Sequence, residues 1–268
     1  MSNAYFTTRN GVRFVPTDHA RGPWDADACH AGPPTALLVR AMERIVPGQR
    51  LARINVELMR PVPMAGFEVQ AEVRRLGRSV TFSEAEILDD DRVYVRAYGM
   101  HMRRLDQFEC STAVVESPDF DIAVPGPFPI RGTTHGLEAF VTSIEARYDP
   151  TGSIGEGGPT VIWLRADRPI LNDEEPSPFQ RICPLADSGN GISYNDYLDK
   201  VHFVNPDLSL SLHRDPIGEW FASKAISHWQ PDGTGMADAE LFDTAGPVGR
   251  AVQSVLLMPA DGQGSSPA

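Results

Sequence analysis

Residues 53–102 lie over residues 207–256 at a constant offset of 154, with no gap. Arg60 falls on Arg214, Phe67 on Phe221 and Ala71 on Ala225. Ala85-Glu86-Ile87-Leu88-Asp89 falls on Ala239-Glu240-Leu241-Phe242-Asp243, and Arg96-Ala97 on Arg250-Ala251. Nine positions of the fifty are identical, where unrelated segments of ordinary composition would share about three. Both copies also share an order of elements. A chain built this way folds as the same unit made twice, with a site at the joint or kept in only one copy.

The period of the apolar residues says what that unit is. A strand is expected around Tyr5–Pro16, followed by a loop through Gly22-Pro23-Trp24-Asp25. Leu37, Leu38, Ala41, Met42 and Ile45 then recur at helical spacing, with Pro33-Pro34 at the start and Pro47-Gly48 at the stop. After this helix the period changes to two. Ile54–Arg60, Phe67–Leu76, Val80–Leu88 and Val93–Met102 read as strands, separated by turn-forming residues. Residues 111–135 hold Pro118, Pro125, Pro127 and Pro129 without a period and read as a linker. The second unit resumes with strands near Leu137–Tyr148 and Thr160–Arg168 and a helix over Pro178–Gly191. Strands follow near Val201–His213, Glu219–Trp229, Gly235–Phe242 and Val248–Met258. The expected division is therefore 1–110, a linker at 111–135, a second unit at 136–259 and a disordered tail at 260–268.

Composition excludes several classes of function. The net charge of −12 lacks the basic balance of a general nucleic-acid binder. No apolar run reaches ~18 residues, and Met1–Tyr5 does not open a secretory signal, so a cytoplasmic protein without membrane partners is expected. Cys29, Cys110 and Cys183 are odd in number and widely spaced, which fits reduced thiols rather than a zinc or redox motif. There is no Gly-x-Ser-x-Gly elbow, no His-Glu-x-x-His, no P-loop and no dinucleotide fingerprint. No cofactor is called for. A hydrolase with this sequence needs a carboxylate and a water rather than a covalent triad.

Two segments carry a family likeness. Trp24, His30-Ala31-Gly32-Pro33-Pro34, Leu37-Leu38 and Val56-Glu57-Leu58-Met59-Arg60-Pro61-Val62-Pro63 resemble the first half of acyl-CoA thioesterase II-type proteins. Leu208–Arg214, Gly218-Glu219-Trp220, Ala239–Asp243 and Val252-Gln253-Ser254 resemble their second half. The resemblance implies an α+β double hotdog: two fused units, each with a long helix wrapped by a curved antiparallel sheet. It implies hydrolysis of acyl-CoA in fatty acid metabolism, by a water held by an aspartate, a small polar residue and a glutamine of the second unit. These match Asp187 in Leu185-Ala186-Asp187-Ser188-Gly189, Asn205 in Asn205-Pro206-Asp207 and Gln253 in Ala251-Val252-Gln253. The family has threonine where Asn205 stands, and a carboxamide can also hold a water. A homodimer or higher homo-oligomer is a further expectation from the family.

In this reading Asp187 is the general base, Asn205 and Gln253 orient the water, and burial raises the Asp187 pKa. Backbone N–H groups near Gly189–Gly191, or near His30–Gly32, polarise the carbonyl, so His30, Gly32 and Gly189 are substrate-binding candidates. Gln253 aligns with Gly99, so the first unit has no copy of the site. Arg60/Arg214 and Glu86/Glu240 are expected to be structural. Coenzyme A is anionic, and the basic clusters are Arg74, Arg75 and Arg78, and Arg103 and Arg104; if they face away from the pocket, a pantetheine-linked or smaller ester gains ground. The alternatives are a hotdog enoyl-thioester hydratase and a non-catalytic acyl-binding protein.

Overall fold

The computed structural model describes residues 3–105, 109–130, 136–152, 154–196 and 199–260. Beyond residue 260 the expected tail lies outside the described residues. The N-terminal strand is a hairpin, β1 (Phe6–Thr8) and β2 (Arg13–Pro16). It turns at Asn10-Gly11, where the Asn10 carboxamide accepts from the N–H groups of Val12 and Arg13 and Gly11 takes φ +72. Helix α1 (Gly32–Ile45) follows, then β3 (Arg50–Leu58), β4 (Phe67–Arg75), β5 (Val80–Asp89) and β6 (Arg92–Met102). The C-terminal half runs β7 (Val124–Gly126), a short α2 (Phe140–Ser143), β8 (Ile144–Tyr148) and β9 (Thr160–Ala166). It continues with α3 (Pro178–Ala186), α4 (Gly189–Ile192), β10 (Val201–Val204), β11 (Asp207–Leu212), β12 (Phe221–Trp229), β13 (Thr234–Asp243) and β14 (Gly246–Pro259).

Part of the Pro-rich segment packs into the C-terminal half. Strand β7 pairs with β8, and Phe120 lies edge-on to Trp163 and against Trp220. The expected helix over Pro178–Gly191 is two helices. Their break falls at Asp187 and Ser188, beyond Pro184, which has no N–H to donate within α3.

All the strands join one antiparallel sheet in the order β1-β2-β4-β5-β6-β3-β11-β14-β13-β12-β9-β8-β7, with β10 beside β14. The sequence repeat is a repeat of register. Ala85 faces Ala97 and Glu86 faces Arg96 in one half; Ala239 faces Ala251 and Glu240 faces Arg250 in the other. Val56 opposes Ala97 just as Leu210 opposes Ala251. At the joint, Val56 pairs with Leu208, Ile54 with Leu210, and Asn55 with its own counterpart Ser209. The halves are therefore related by a local two-fold through the Asn55–Ser209 pair. Small alanines at these inward positions let the helices lie close to the sheet.

Helix α1 packs on β3–β6, and α3 and α4 pack on β9 and β12–β14. Helix α1 also packs on α3. It is buried almost all round, from Gly32 to Arg40, as a helix between a sheet and a second helix must be. Arg40 pairs with Glu174, in the segment leading into α3, at 2.5 and 2.6 Å, and Glu43 accepts from Ser177 at the start of α3 and from Gln180 within it. At the end of this contact a Cβ on Gly32 would collide with the Pro184 carbonyl. No helix among the described residues is long and apolar enough to cross a membrane.

The four shared charged positions divide by burial. Glu86 pairs with Arg96 across strands at 2.6 Å, and Glu240 lies 3.7 Å from Lys224. Arg214 clamps Asp243, whose side chain is fully buried and also accepts from the N–H groups of Ile217 and Ala245. Burial would raise the Asp243 pKa, but these donors hold it below the usual range. Arg60 instead donates to the Val93 carbonyl, and Asp89 makes an exposed pair with Arg13. Arg214→Met strands a buried carboxylate and is expected to cost about 3 kcal/mol in urea denaturation. Asp89→Asn, at the equivalent exposed position, is expected to stay within about 0.5 kcal/mol. Equal costs at the two positions would refute this asymmetry.

Candidate active site

The helix break delivers Asp187 to the inside of the molecule. Its side chain is 4% exposed. Oδ1 accepts from Asn205 Nδ2 at 2.9 Å and from Gln253 Nε2 at 3.0 Å. Asn205 sits where β10 gives way to β11, next to Pro206. Gln253 comes from the inner face of β14, opposite the small Ala237 and under Gly189, where a Cβ would come within 2.9 Å of Gln253 Oε1.

The Gln253 carboxamide is fully engaged. Nε2 also donates to the Asp187 main-chain oxygen at 2.9 Å, and Oε1 accepts from the Asn190 N–H at 3.0 Å. Gln253 thus fixes Asp187 rather than reaching freely toward a ligand. The Gly189–Gly191 segment is helix α4 rather than an open turn, and its Asn190 N–H is taken by Gln253.

The N-terminal half supplies the opposite wall. The His30 N–H bonds to the Ala20 carbonyl, and the His30 ring lies tilted by 39° against Phe140 with centroids 4.5 Å apart. Its Nδ1 accepts from the Gly32 N–H at 3.1 Å and lies 3.3 Å from Asp187 Oδ2. Burial lowers the His30 pKa to about 3, so the ring is neutral and its contact with Asp187 is not an ion pair. With Nδ1 as the acceptor, the ring proton sits on Nε2. Burial raises the Asp187 pKa to about 7, against the lowering effect of the Asn205, Gln253 and Gly32 donors. The Nδ1 lone pair is taken by the Gly32 N–H, so His30 has no proton on that side to offer Asp187 Oδ2.

These groups open on a pocket of about 390 Å3. Trp24 stands edge-on to Phe203 at 5.4 Å in its wall, with Ile130 and Val62 beside them. The other five expected site residues lie around Asp187: Asn205 and Gln253 bond it, His30 faces it, Gly32 donates to His30, and Gly189 packs on Gln253. Sequence patterning missed Phe203, Ser188 and Asn190, which line the same pocket. Only their neighbours in sequence, Asp187 and Asn205, pointed toward them. None of the clustered arginines lines it. Arg74 is engaged by Glu72 and Glu84, and Arg104 by Asp215; Arg60 does reach the wall. The first half has no counterpart: a Cβ on Gly99 would meet Ser83 Oγ at 2.5 Å and Met42 Sδ at 2.7 Å.

A carboxylate ionised while buried opposes folding. The Asp187 pKa is raised above its unfolded value, so its stabilising contribution is complete below about pH 4 and lost as pH rises through about 7. Asp187→Asn is therefore expected to raise Tm relative to the parent, with the gain growing between pH 4 and pH 8. A pH-independent difference, measured by thermal scans across that range, would refute the buried-charge account.

The acyl-CoA thioesterase N-terminal domain matches residues 20–102, and the acyl-CoA thioesterase C-terminal domain matches residues 118–257. Among solved structures, the chain is similar to acyl-CoA thioesterase II TesB2 of Mycobacterium marinum, at 14% identity and a TM-score of 0.66 over 98% of both chains. It is similar to the tesB protein of Mycobacterium avium subs paratuberculosis, at 15% identity and 0.68, over 95% of this chain and 96% of that one. A conserved hot dog protein of unknown function from Alicyclobacillus acidocaldarius aligns at 15% identity and 0.72, covering 100% and 97%. At such identities these structures speak for the hotdog fold alone. No curated protein matches the chain.

Proposed function

The chain belongs to the acyl-CoA thioesterase family and is a thioester hydrolase, and on that footing we propose that it hydrolyses acyl-CoA with a water deprotonated by Asp187. We further read residues 1–110 and 136–259 as two hotdog units, with Phe120 and β7 of the joining 111–135 segment packed into the second, the chemistry confined to that second unit, and His30 and Gly32 contributed by the first. The repeated strand registers and the packing of α1 on β3–β6 support that reading.

One observation carries the mechanism: a buried carboxylate with Oδ1 held by two amide donors, Oδ2 facing the pocket wall, and a pKa of about 7. Asn205 and Gln253 immobilise Oδ1, which leaves Oδ2 to take a proton from water. The water oxygen bonds to the carbonyl carbon as the π pair moves to the carbonyl oxygen. Collapse restores the carbonyl and breaks the C–S bond, and the departing sulfur receives the proton from Asp187. Free acid and thiol result. A base whose pKa lies near the working pH combines availability with strength, and such a group contributes ~10²–10⁴-fold. The apolar Trp24–Phe203 wall suits the acyl chain.

A second reading concerns the thiol. Arg60 is the one arginine among the described pocket-lining residues, and Asp89, Asp90 and Asp91 lie near it. A pantetheine thioester lacking the nucleotide is therefore a competing substrate.

Released thiol titrated with acyl-CoAs of graded length tests the proposal. Activity is expected in the parent, reduced at least about 10²-fold in Asp187→Ala, with kcat/KM rising with pH through a limb near 7 as Asp187 loses its proton. Undiminished activity in Asp187→Ala would overturn the site. Acyl-pantetheine turned over as fast as acyl-CoA would favour the second reading.

A further inference from the structure

Hydrolysis needs a donor at the thioester carbonyl as well as a base. The backbone groups first expected in that role are engaged within the protein, the Asn190 N–H with Gln253 Oε1 and the Gly32 N–H with His30 Nδ1. The pocket wall holds another donor. The Asn190 side chain is buried, at 3% exposure, and its Nδ2 has no acceptor among the described residues. Its orientation is not arbitrary. Oδ1 accepts from Trp229 Nε1 at 3.0 Å and from Ser227 Oγ at 3.0 Å. An indole N–H can only donate, so the atom it faces must be the carboxamide oxygen and Nδ2 must point away from it. Ser193 Oγ lies 2.8 Å from Ser227 Oγ and bonds to the Gly189 carbonyl, which anchors this network to α4.

A buried amide donor without a partner costs about 1–3 kcal/mol, and three residues hold it in that state. Resting on the thioesterase reading above, we propose that Asn190 Nδ2 donates to the thioester carbonyl oxygen and stabilises the negative charge that develops there when water attacks. It stands in α4, three residues beyond Asp187, and lines the same pocket. The donor is fixed before substrate arrives, so little reorganisation accompanies the reaction. Ser188 Oγ is also buried without a partner among the described residues, but a hydroxyl proton rotates and nothing orients it.

The test compares catalysis with binding of a ligand that lacks the carbonyl. In Asn190→Ala, kcat is expected to fall about 10²–10³-fold with KM little changed. Affinity for an S-alkyl-CoA thioether, which has the chain and nucleotide but no carbonyl, is expected to be unchanged. Trp229→Phe keeps the ring but frees Oδ1 from one of its two donors, and a smaller loss confined to kcat is expected; it serves if Asn190→Ala fails to fold. The proposal is overturned if either variant, folded by its thermal transition, keeps the parent kcat. It is also overturned if thioether affinity falls in step with kcat, which would mean Asn190 only shapes the pocket. A larger kcat loss in Ser188→Ala than in Asn190→Ala would overturn it too. The underlying reading fails separately, by full activity in Asp187→Ala whatever Asn190 does.

Discussion

The pocket depends on how closely the start of α1 approaches the end of α3. Gly32 lies against the Pro184 carbonyl with no room for a side chain, and this contact holds the His30 wall beside Asp187. Any larger residue at 32 would push the two helices apart. Glu43 bonds to Ser177 and Gln180 of α3, and Arg40 to Glu174 in the segment before it, and these ties hold the helices in place once the glycine allows the approach. A site assembled from both halves therefore rests on a packing constraint some three residues before Asp187.

Around that constraint the two halves have diverged in opposite directions. In the second, the inward-facing position on the last strand carries Gln253, with room created by Ala237 and Gly189. In the first, the same position is Gly99, and Ser83, Met42 and Leu51 fill the space. Ser83 bonds the buried His101 at 2.7 Å, and burial lowers the His101 pKa to about 4, so that ring stays neutral. One half holds an ionisable group in a pocket; the other closes the corresponding space. Duplication supplied two equal surfaces, and side-chain volume decided which one stayed open.

Burial sets the Asp187 pKa. An exposed aspartate is ionised and well solvated at neutral pH, a weak base. Here the amide donors favour the carboxylate while burial disfavours it more strongly, which leaves the pKa near 7. His30, buried and neutral, adds no positive charge to reverse that balance.

How much of this was legible beforehand varies with the range of the interaction responsible. The strands from β3 to β6 and from β11 to β14 were readable because period two and turn residues are local properties. Their register was not, since the Glu86–Arg96 and Glu240–Arg250 oppositions appear only once the strands pair. The family likeness supplied Asp187, Asn205 and Gln253. The break between α3 and α4 was not legible, because helical period runs through it and only Pro184 interrupts. Nor was the role of Asn190. Its orientation depends on Trp229 and Ser227, some forty residues away, through bonds no local pattern records. The sequence by itself determined two copies of one sheet-and-helix pattern, while the candidate site residues came from the family likeness. Only the tertiary structure decided that β3 pairs with β11, that His30 faces Asp187, and which donors remain free, because burial and hydrogen-bond saturation are properties of the assembled space.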